Sequence, residues 1–175
     1  MTSGICLLTS VFCLLSAGCG FSPIYGAHGQ GDNPVARELS NVYIENIPDS
    51  DGQFLRNKLI DRLYFNGRPA HPAARLAITL QSSENAMGVQ KDATISRSQL
   101  VMGATYVLRD NDGRELFKGL ARSLASYSKL DAQYGTLAAQ RNAFERALGE
   151  ISEQIVNRLS LYYAQKAENA AAPVK

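Results

Sequence analysis

Two sets of residues in this chain carry chemistry that ordinary packing does not require: one cysteine and a few cations. Cys19 follows Ser16-Ala17-Gly18 and an uncharged apolar run from Ile5 to Leu15. Small residues before a cysteine, at the end of a secretory apolar segment, are the ending of a bacterial lipoprotein signal: the segment is removed and the thiol acylated. The run is too short to span a bilayer, which takes about 20 residues. Residues 1–18 therefore read as a lipoprotein signal peptide and Cys19 as the lipidation site. Two details depart from the usual pattern: Met1-Thr2-Ser3-Gly4 contains no Lys or Arg, and Ser16 stands where Leu is commonest. The alternative is an ordinary signal cut near Ala17 or Gly18, leaving a soluble periplasmic protein.

Cys6, Cys13 and Cys19 are the only cysteines, all at or before the cut. The mature chain thus has no disulfide framework and no cysteine zinc site, and must stand on its hydrophobic core. No cofactor is expected beyond the covalent lipid on Cys19.

The cations are fewer than a nucleic-acid binder needs. Lys and Arg number 18 against 16 Asp and Glu, so no broad basic field exists and nucleic acid is not an expected partner. Any anion must meet a local group. Lys118 and Arg122 stand four apart in a strand-like run and so point the same way. Arg97 and Arg109 fall on the same face, with Lys91 in the preceding loop. Arg matches phosphate geometry and Lys supplies a point charge. Leu120, Leu124 and Val101 lie between them and can meet acyl chains or another protein. The same pattern also suits a solvated outer sheet face whose charges discourage edge pairing.

Catalytic chemistry is missing. His28 and His71 are the only histidines, and neither has a ligand or base partner at useful spacing. There is no G-x-S-x-G, P-loop or G-x-G-x-x-G segment. Asp110, Asp112 and Glu115 surround a turn and lack the offsets of a calcium loop. The serines of the middle strands have no base. The chain reads as neither an enzyme nor a metal protein.

The elements that must position the cations follow from periodicity. Residues 19–37 hold Gly20, Gly26, Gly29, Gly31, Pro23 and Pro34 and read as an irregular lipidated tether. Residues 38–47 are rich in strand formers. Pro48-Asp49-Ser50-Asp51-Gly52 then offers N-cap residues for a helix over 53–65, where Leu55, Leu59 and Leu63 recur every four positions. Residues 74–84 alternate as a strand, and Ser82–Thr94 reads as a polar connection. Two runs, 95–109 and 114–128, flank Asp110-Asn111-Asp112-Gly113 and predict a hairpin. With Asp112 and Gly113 at the centre of a two-residue turn, paired positions sum to 225, so Tyr106 faces Gly119 and Ala104 faces Ala121. A final helix spans 136–166, with Phe144, Leu148, Ile151, Ile155, Leu159 and Tyr162 along one stripe. Residues 167–175 read as a disordered tail. The class is α+β: a four-stranded sheet with two helices packed on one face, over residues 38–166.

The segment Leu15-Ser16-Ala17-Gly18-Cys19-Gly20-Phe21-Ser22-Pro23-Ile24-Tyr25-Gly26 resembles the start of the LptE lipoproteins of Gram-negative bacteria, with Ile24 in place of the commoner Leu. The succession of elements agrees over the mature chain. The resemblance implies a non-enzymatic outer-membrane lipoprotein, with palmitate among its acyl chains, held at the periplasmic face by Cys19. It implies a plug that helps assemble the LptD β-barrel and assists lipopolysaccharide delivery, with lipopolysaccharide a possible direct ligand. Gly20, rather than an Asp after the cysteine, is compatible with outer-membrane sorting. Lys91, Arg97, Lys118 and Arg122 are the candidate lipopolysaccharide or barrel contacts on charge alone. The competing readings are an accessory lipoprotein of another lipid-transport or ABC export complex, and an envelope hydrolase using His28 or His71.

Overall fold

The computed structural model describes residues 34–64, 67–89, 95–129 and 133–171. The signal segment, Cys19 and Lys91 lie outside the described residues. Among the described residues seven elements follow in order: α1 (Pro34–Ser40), β1 (Val42–Ile44), α2 (Asp49–Leu63), β2 (Ala74–Val89), β3 (Ile95–Asp110), β4 (Glu115–Ser128) and α3 (Gln133–Ala171). The strands form one sheet in the order β1-β2-β3-β4, with β1 parallel to β2 and the other pairs antiparallel. The α+β class holds, with three helices rather than two.

The extra helix is α1, which takes residues 34–37 from the expected tether and 38–40 from the expected first strand. Pro34 fits a first helical position, where its missing N–H has no helical acceptor to serve. Seven residues form no stable helix alone. What holds α1 is Leu39, 5% exposed, in the common core. Little of the expected ten-residue strand is then left, and β1 is three residues long. In α2, Leu55, Leu59 and Leu63 are buried as their spacing predicts. The helix begins at Asp49 without a side-chain cap, its first-turn Asp49 and Asp51 complementing the dipole.

The hairpin register is as predicted over most of its length. Tyr106 pairs with Gly119, Ala104 with Ala121, Met102 with Ser123 and Leu108 with Phe117. The turn itself is wider, and the register shifts between Leu108 and Arg109. Gly113 N–H donates to the Asp110 carbonyl at 3.1 Å, and Gly113 has φ 82°, so Asn111 and Asp112 are the central residues. A left-handed glycine after such a turn forms the bulge that reconciles it with strand twist. Asp110 Oδ1 accepts from the N–H groups of Asp112 (3.0 Å) and Arg114 (2.8 Å). These acidic residues are turn formers.

The core lies between the inner sheet face and the helices. Leu76, Leu100, Met102, Ala104, Tyr106, Leu108 and Ala121 meet Leu148, Ile151, Ile155 and Leu159 of α3 and the α2 leucines in one cluster. At one end, Phe117 stacks between Tyr106 (6.1 Å between centroids) and Tyr162 (5.3 Å), linking sheet to helix. Residues 167–171, expected in a disordered tail, continue α3.

Tyr106 lies across Gly119, and a Cβ at 119 would overlap the phenol ring. The Tyr106 hydroxyl is buried and makes no hydrogen bond of good geometry; the nearby Arg158 guanidinium favours its ionised form, against the larger effect of burial. Gly119→Ala is expected to cost about 1–3 kcal/mol by overpacking. Tyr106→Phe removes an unsatisfied group and should be neutral or stabilising by up to about 1 kcal/mol. Urea unfolding of both variants checks the pair, and a destabilised Tyr106→Phe would refute the account of the hydroxyl.

Burial raises the hydroxyl pKa of Tyr64, Tyr106, Tyr127 and Tyr163 above the ordinary 10.0. The hydrogen bond to Glu84 pushes Tyr127 further up, as does the nearby Glu38 charge for Tyr163. Because the folded state holds these protons more tightly, the unfolded chain ionises first as pH rises. Stability is therefore expected to be flat below about pH 9 and to fall above about pH 10. Denaturant midpoints across that range test this, and a flat profile to pH 11 would contradict it.

Candidate binding surface of the sheet

Alternation gives the sheet two unlike faces. The helices seal the inner one. On the outer face no side chain of β2, β3 or β4 is buried among the described residues. The pairing places Ala77, Val107 and Lys118 in one row across it, then Thr79, Thr105 and Leu120, then Gln81, Gly103 and Arg122. Ser83, Val101 and Leu124 follow, and Met87, Arg97 and Ser128 lie near the far end. Arg97, Lys118 and Arg122 thus share this face, as their parity predicts, and all three are exposed. Among the described residues no ion pair engages any of them.

They do not form a cluster. Val107, opposite Lys118, is ten residues along β3 from Arg97. At roughly 3.3 Å per residue the three cations spread over about 33 Å. Lys118 and Arg122 are about 13 Å apart by the same rise, close enough for two long side chains to approach one multiply charged headgroup. Leu120 (56% exposed) and Leu124 (57%) stand beside them. The face can offer cations and apolar side chains in alternation over a wide, shallow area.

Chemistry elsewhere is sparse. His71 is exposed on a loop, and His28 lies outside the described residues. Among the described residues no three His, Cys, Asp or Glu gather as a metal set. Between α2 and α3 a groove of about 330 Å³ is lined by Phe54, Lys58, Arg62, Glu145 and Arg146. Its Arg62 is already paired with Glu153 at 2.7 Å.

Periodicity does not show how the sheet margins are treated. On β1, the Tyr64 hydroxyl donates to the Val42 carbonyl (2.8 Å) and accepts from Ile44 N–H (3.2 Å). Arg56 reaches the Ile44 carbonyl at 3.4 Å. On β4, the Gln154 amide takes both main-chain groups of Arg122, at 3.2 and 2.9 Å. Arg146 approaches the Ser126 carbonyl at 3.5 Å. Side chains of α2 and α3, and Tyr64 just past the end of α2, therefore stand where a further strand would pair. None of these four residues lies on an apolar stripe, so periodicity gave no signal for them.

Residues 39–159 match the family profile of LptE, lipopolysaccharide-assembly. The chain belongs to that family. LptE proteins are assembly lipoproteins rather than enzymes, so the hydrolase alternative falls away. A lipoprotein of Caulobacter crescentus CB15 is 30% identical, with a TM-score of 0.60, covering 81% of this chain and 100% of its own. The lipoprotein B of Nitrosomonas europaea (18% identity, TM-score 0.56, 73% and 86% covered) shares the fold. So does a minor lipoprotein of Acinetobacter baumannii (15%, 0.51, 69% and 90%). No curated protein sequence matches the chain. Among the described residues of this LptE-family chain, no helix is long and apolar enough to cross a membrane.

Tyr64→Phe should leave the Val42 carbonyl and the Ile44 N–H without their shared partner. The expected cost is about 1–3 kcal/mol, against near neutrality for an exposed tyrosine such as Tyr134 changed to Phe. Urea unfolding of the two variants side by side measures it.

Proposed function

We propose that this chain is an outer-membrane lipoprotein that plugs and helps assemble an LptD-like β-barrel and assists lipopolysaccharide delivery to the outer leaflet. Its signal peptide is removed and Cys19 carries the acyl chains, palmitate among them, that anchor it at the periplasmic face. More than one chain is needed for firm anchoring. The observation that supports this reading best is the uncovered outer sheet face, in a chain of the lipopolysaccharide-assembly family. A large barrel has a polar lumen, and a plug must present groups that such a lumen can solvate. Thr79, Gln81, Ser83, Asn85 and Thr105 do this without charge, and Lys118, Arg122 and Arg97 add positive charge.

Lys118 and Arg122 are the residues proposed to meet lipid phosphates, with Lys91 added from the connection before β3. Arg97, far along the strip, is proposed to contact the barrel. Gentle detergent extraction of outer membranes, capture of a C-terminally tagged copy and mass spectrometry should recover a large β-barrel near stoichiometry. Recovery with ABC transporter subunits instead would move the chain to another lipid-export complex. In the soluble domain, Lys118→Ala with Arg122→Ala should weaken lipopolysaccharide binding about fivefold, the scale of two solvent-exposed ionic contacts. Arg97→Ala should change it little. Equal binding by wild type and the double variant would remove the phosphate role.

A further inference from the structure

The pairing of β2 leaves one margin of the sheet unlike the others. β1 accompanies β2 only from Ala74 to Leu76, while β2 runs on to Val89. Beyond Leu76, among the described residues, β2 is paired on the β3 side alone. Glu45 N–H donates to the Leu76 carbonyl at 3.0 Å, which fixes the direction of that residue's main-chain groups. Main-chain groups alternate along a strand, and the β2–β3 register is unshifted from Ala74 to Val89. Ile78, Leu80, Ser82, Glu84 and Ala86 therefore turn their N–H and C=O groups away from β3. Among the described residues no backbone or side-chain donor or acceptor meets them there.

Exposure agrees with this. Every residue from Gln81 to Met87 is exposed, on both faces of the strand. Glu84 is the only charge between Ile78 and Val89, and its carboxylate is turned inward, accepting from Tyr127 (2.9 Å) and Gln140 (2.7 Å). An open edge is normally guarded by Lys, Pro, a bulge or a covering element. The other two margins carry Tyr64, Arg56, Gln154 and Arg146 against their main chain. This one carries none of these devices. Its side chains are small or uncharged: Ser82, Ser83, Asn85 and Ala86.

We infer that the edge of β2 from Leu80 to Ala86 is a strand-addition site for an extended, uncharged segment of the membrane partner, bound through main-chain hydrogen bonds. This rests on the barrel-plug reading above and names where that partner engages. A second copy of the chain is the weaker occupant. Pairing two such edges buries far less than the roughly 1,200–2,000 Å² of a stable interface. The edge gains an occupant of adequate affinity only as part of a larger contact, and the adjoining outer face supplies that contact.

The test is capture of the barrel from outer membranes by tagged full-length chain. Proline at Ser82 and Ala86 removes outward N–H donors while leaving the β3 ladder intact, since edge strands accept proline where the N–H faces out. Ser82→Pro with Ala86→Pro should lower barrel recovery at least fivefold. Tyr134→Phe, an exposed change on α3 outside the sheet, should leave recovery near wild type. Equal recovery with the proline variant overturns the edge site and leaves the plug reading standing. Wild-type chain that brings no barrel overturns both. Should the proline variant fail to fold, amide exchange on the wild-type complex decides. Exchange across Leu80–Ala86 should slow at least tenfold relative to the free chain, and unchanged exchange overturns the proposal. A dimer of the free chain that protects this same segment gives the edge to a second copy and overturns it too.

Discussion

The seal between the apolar stripe of α3 and the inner faces of β3 and β4 is the contact on which the other elements depend. A single-layer sheet is not stable in water unless one face is covered. Here Leu148, Ile151, Ile155 and Leu159 provide that cover over Met102, Ala104, Tyr106 and Ala121. The short α1 and the three-residue β1 could not persist alone. They are held because Leu39, Val42 and Ile44 join the same cluster. The cover is also limited in extent. Leu100 and Ser98 on β3 are buried, while their β2 partners Glu84 and Ala86 are exposed. The boundary of the helix layer therefore determines which part of the sheet is available to a partner.

A main-chain accounting gives the same division. Every buried N–H and C=O needs a partner, and the margin of a sheet is where partners run out. Tyr64 satisfies a donor and an acceptor two residues apart on β1, and one Gln154 amide satisfies both groups of Arg122 on β4. These are long-range contacts from helices, so they couple helix docking to sheet termination. The margin of β2 needs none of this for stability, because its groups face water. Its lack of a guard costs the monomer little and leaves an aggregation hazard that a covering partner would remove.

What could be read from the sequence was whatever one face of an element buries. The stripe from Phe144 to Tyr162 and the leucines of α2 stand out because a helix with one wet face must repeat its apolar residues. The 225 register was legible because apolar residues on β3 had to meet small or apolar ones on β4, with Gly119 beneath Tyr106 the most constrained pair. The turn lies one position earlier than expected, since Asp-Gly permits either geometry, and the register shift that leaves Leu116 of β4 unpaired absorbs the difference. The strand beyond Gln81 was read as a connection because both faces are wet from Ser82 to Met87, so no alternation marks it; it is held by its ladder to β3. Residues 38–40 are Glu-Leu-Ser and carry no strand preference of their own. The Val42-Tyr43-Ile44 run that follows places them in the expected strand, and instead they join the helix that Leu39 anchors in the core. For the binding surface, parity placed Arg97, Lys118 and Arg122 on one face correctly. Their separation along it was hidden until the pairing of β3 with β4 was known.

That separation bears on mechanism. Cations gathered in a pocket would select a small anion by converging on it, at the expense of mutual repulsion. Spread along a strip among Leu120, Leu124, threonines and serines, each cation is solvated and independent, and adds only a modest increment. Such a surface suits an amphiphile with several anionic groups and acyl chains, or a broad polar wall, better than it suits a compact solute. It also tolerates change: loss of one cation should weaken contact without abolishing it, whereas a misplaced strand edge would shift every row of the face at once. The rigid part of the interface is therefore the backbone of β2 and β3, and the charges are its adjustable part.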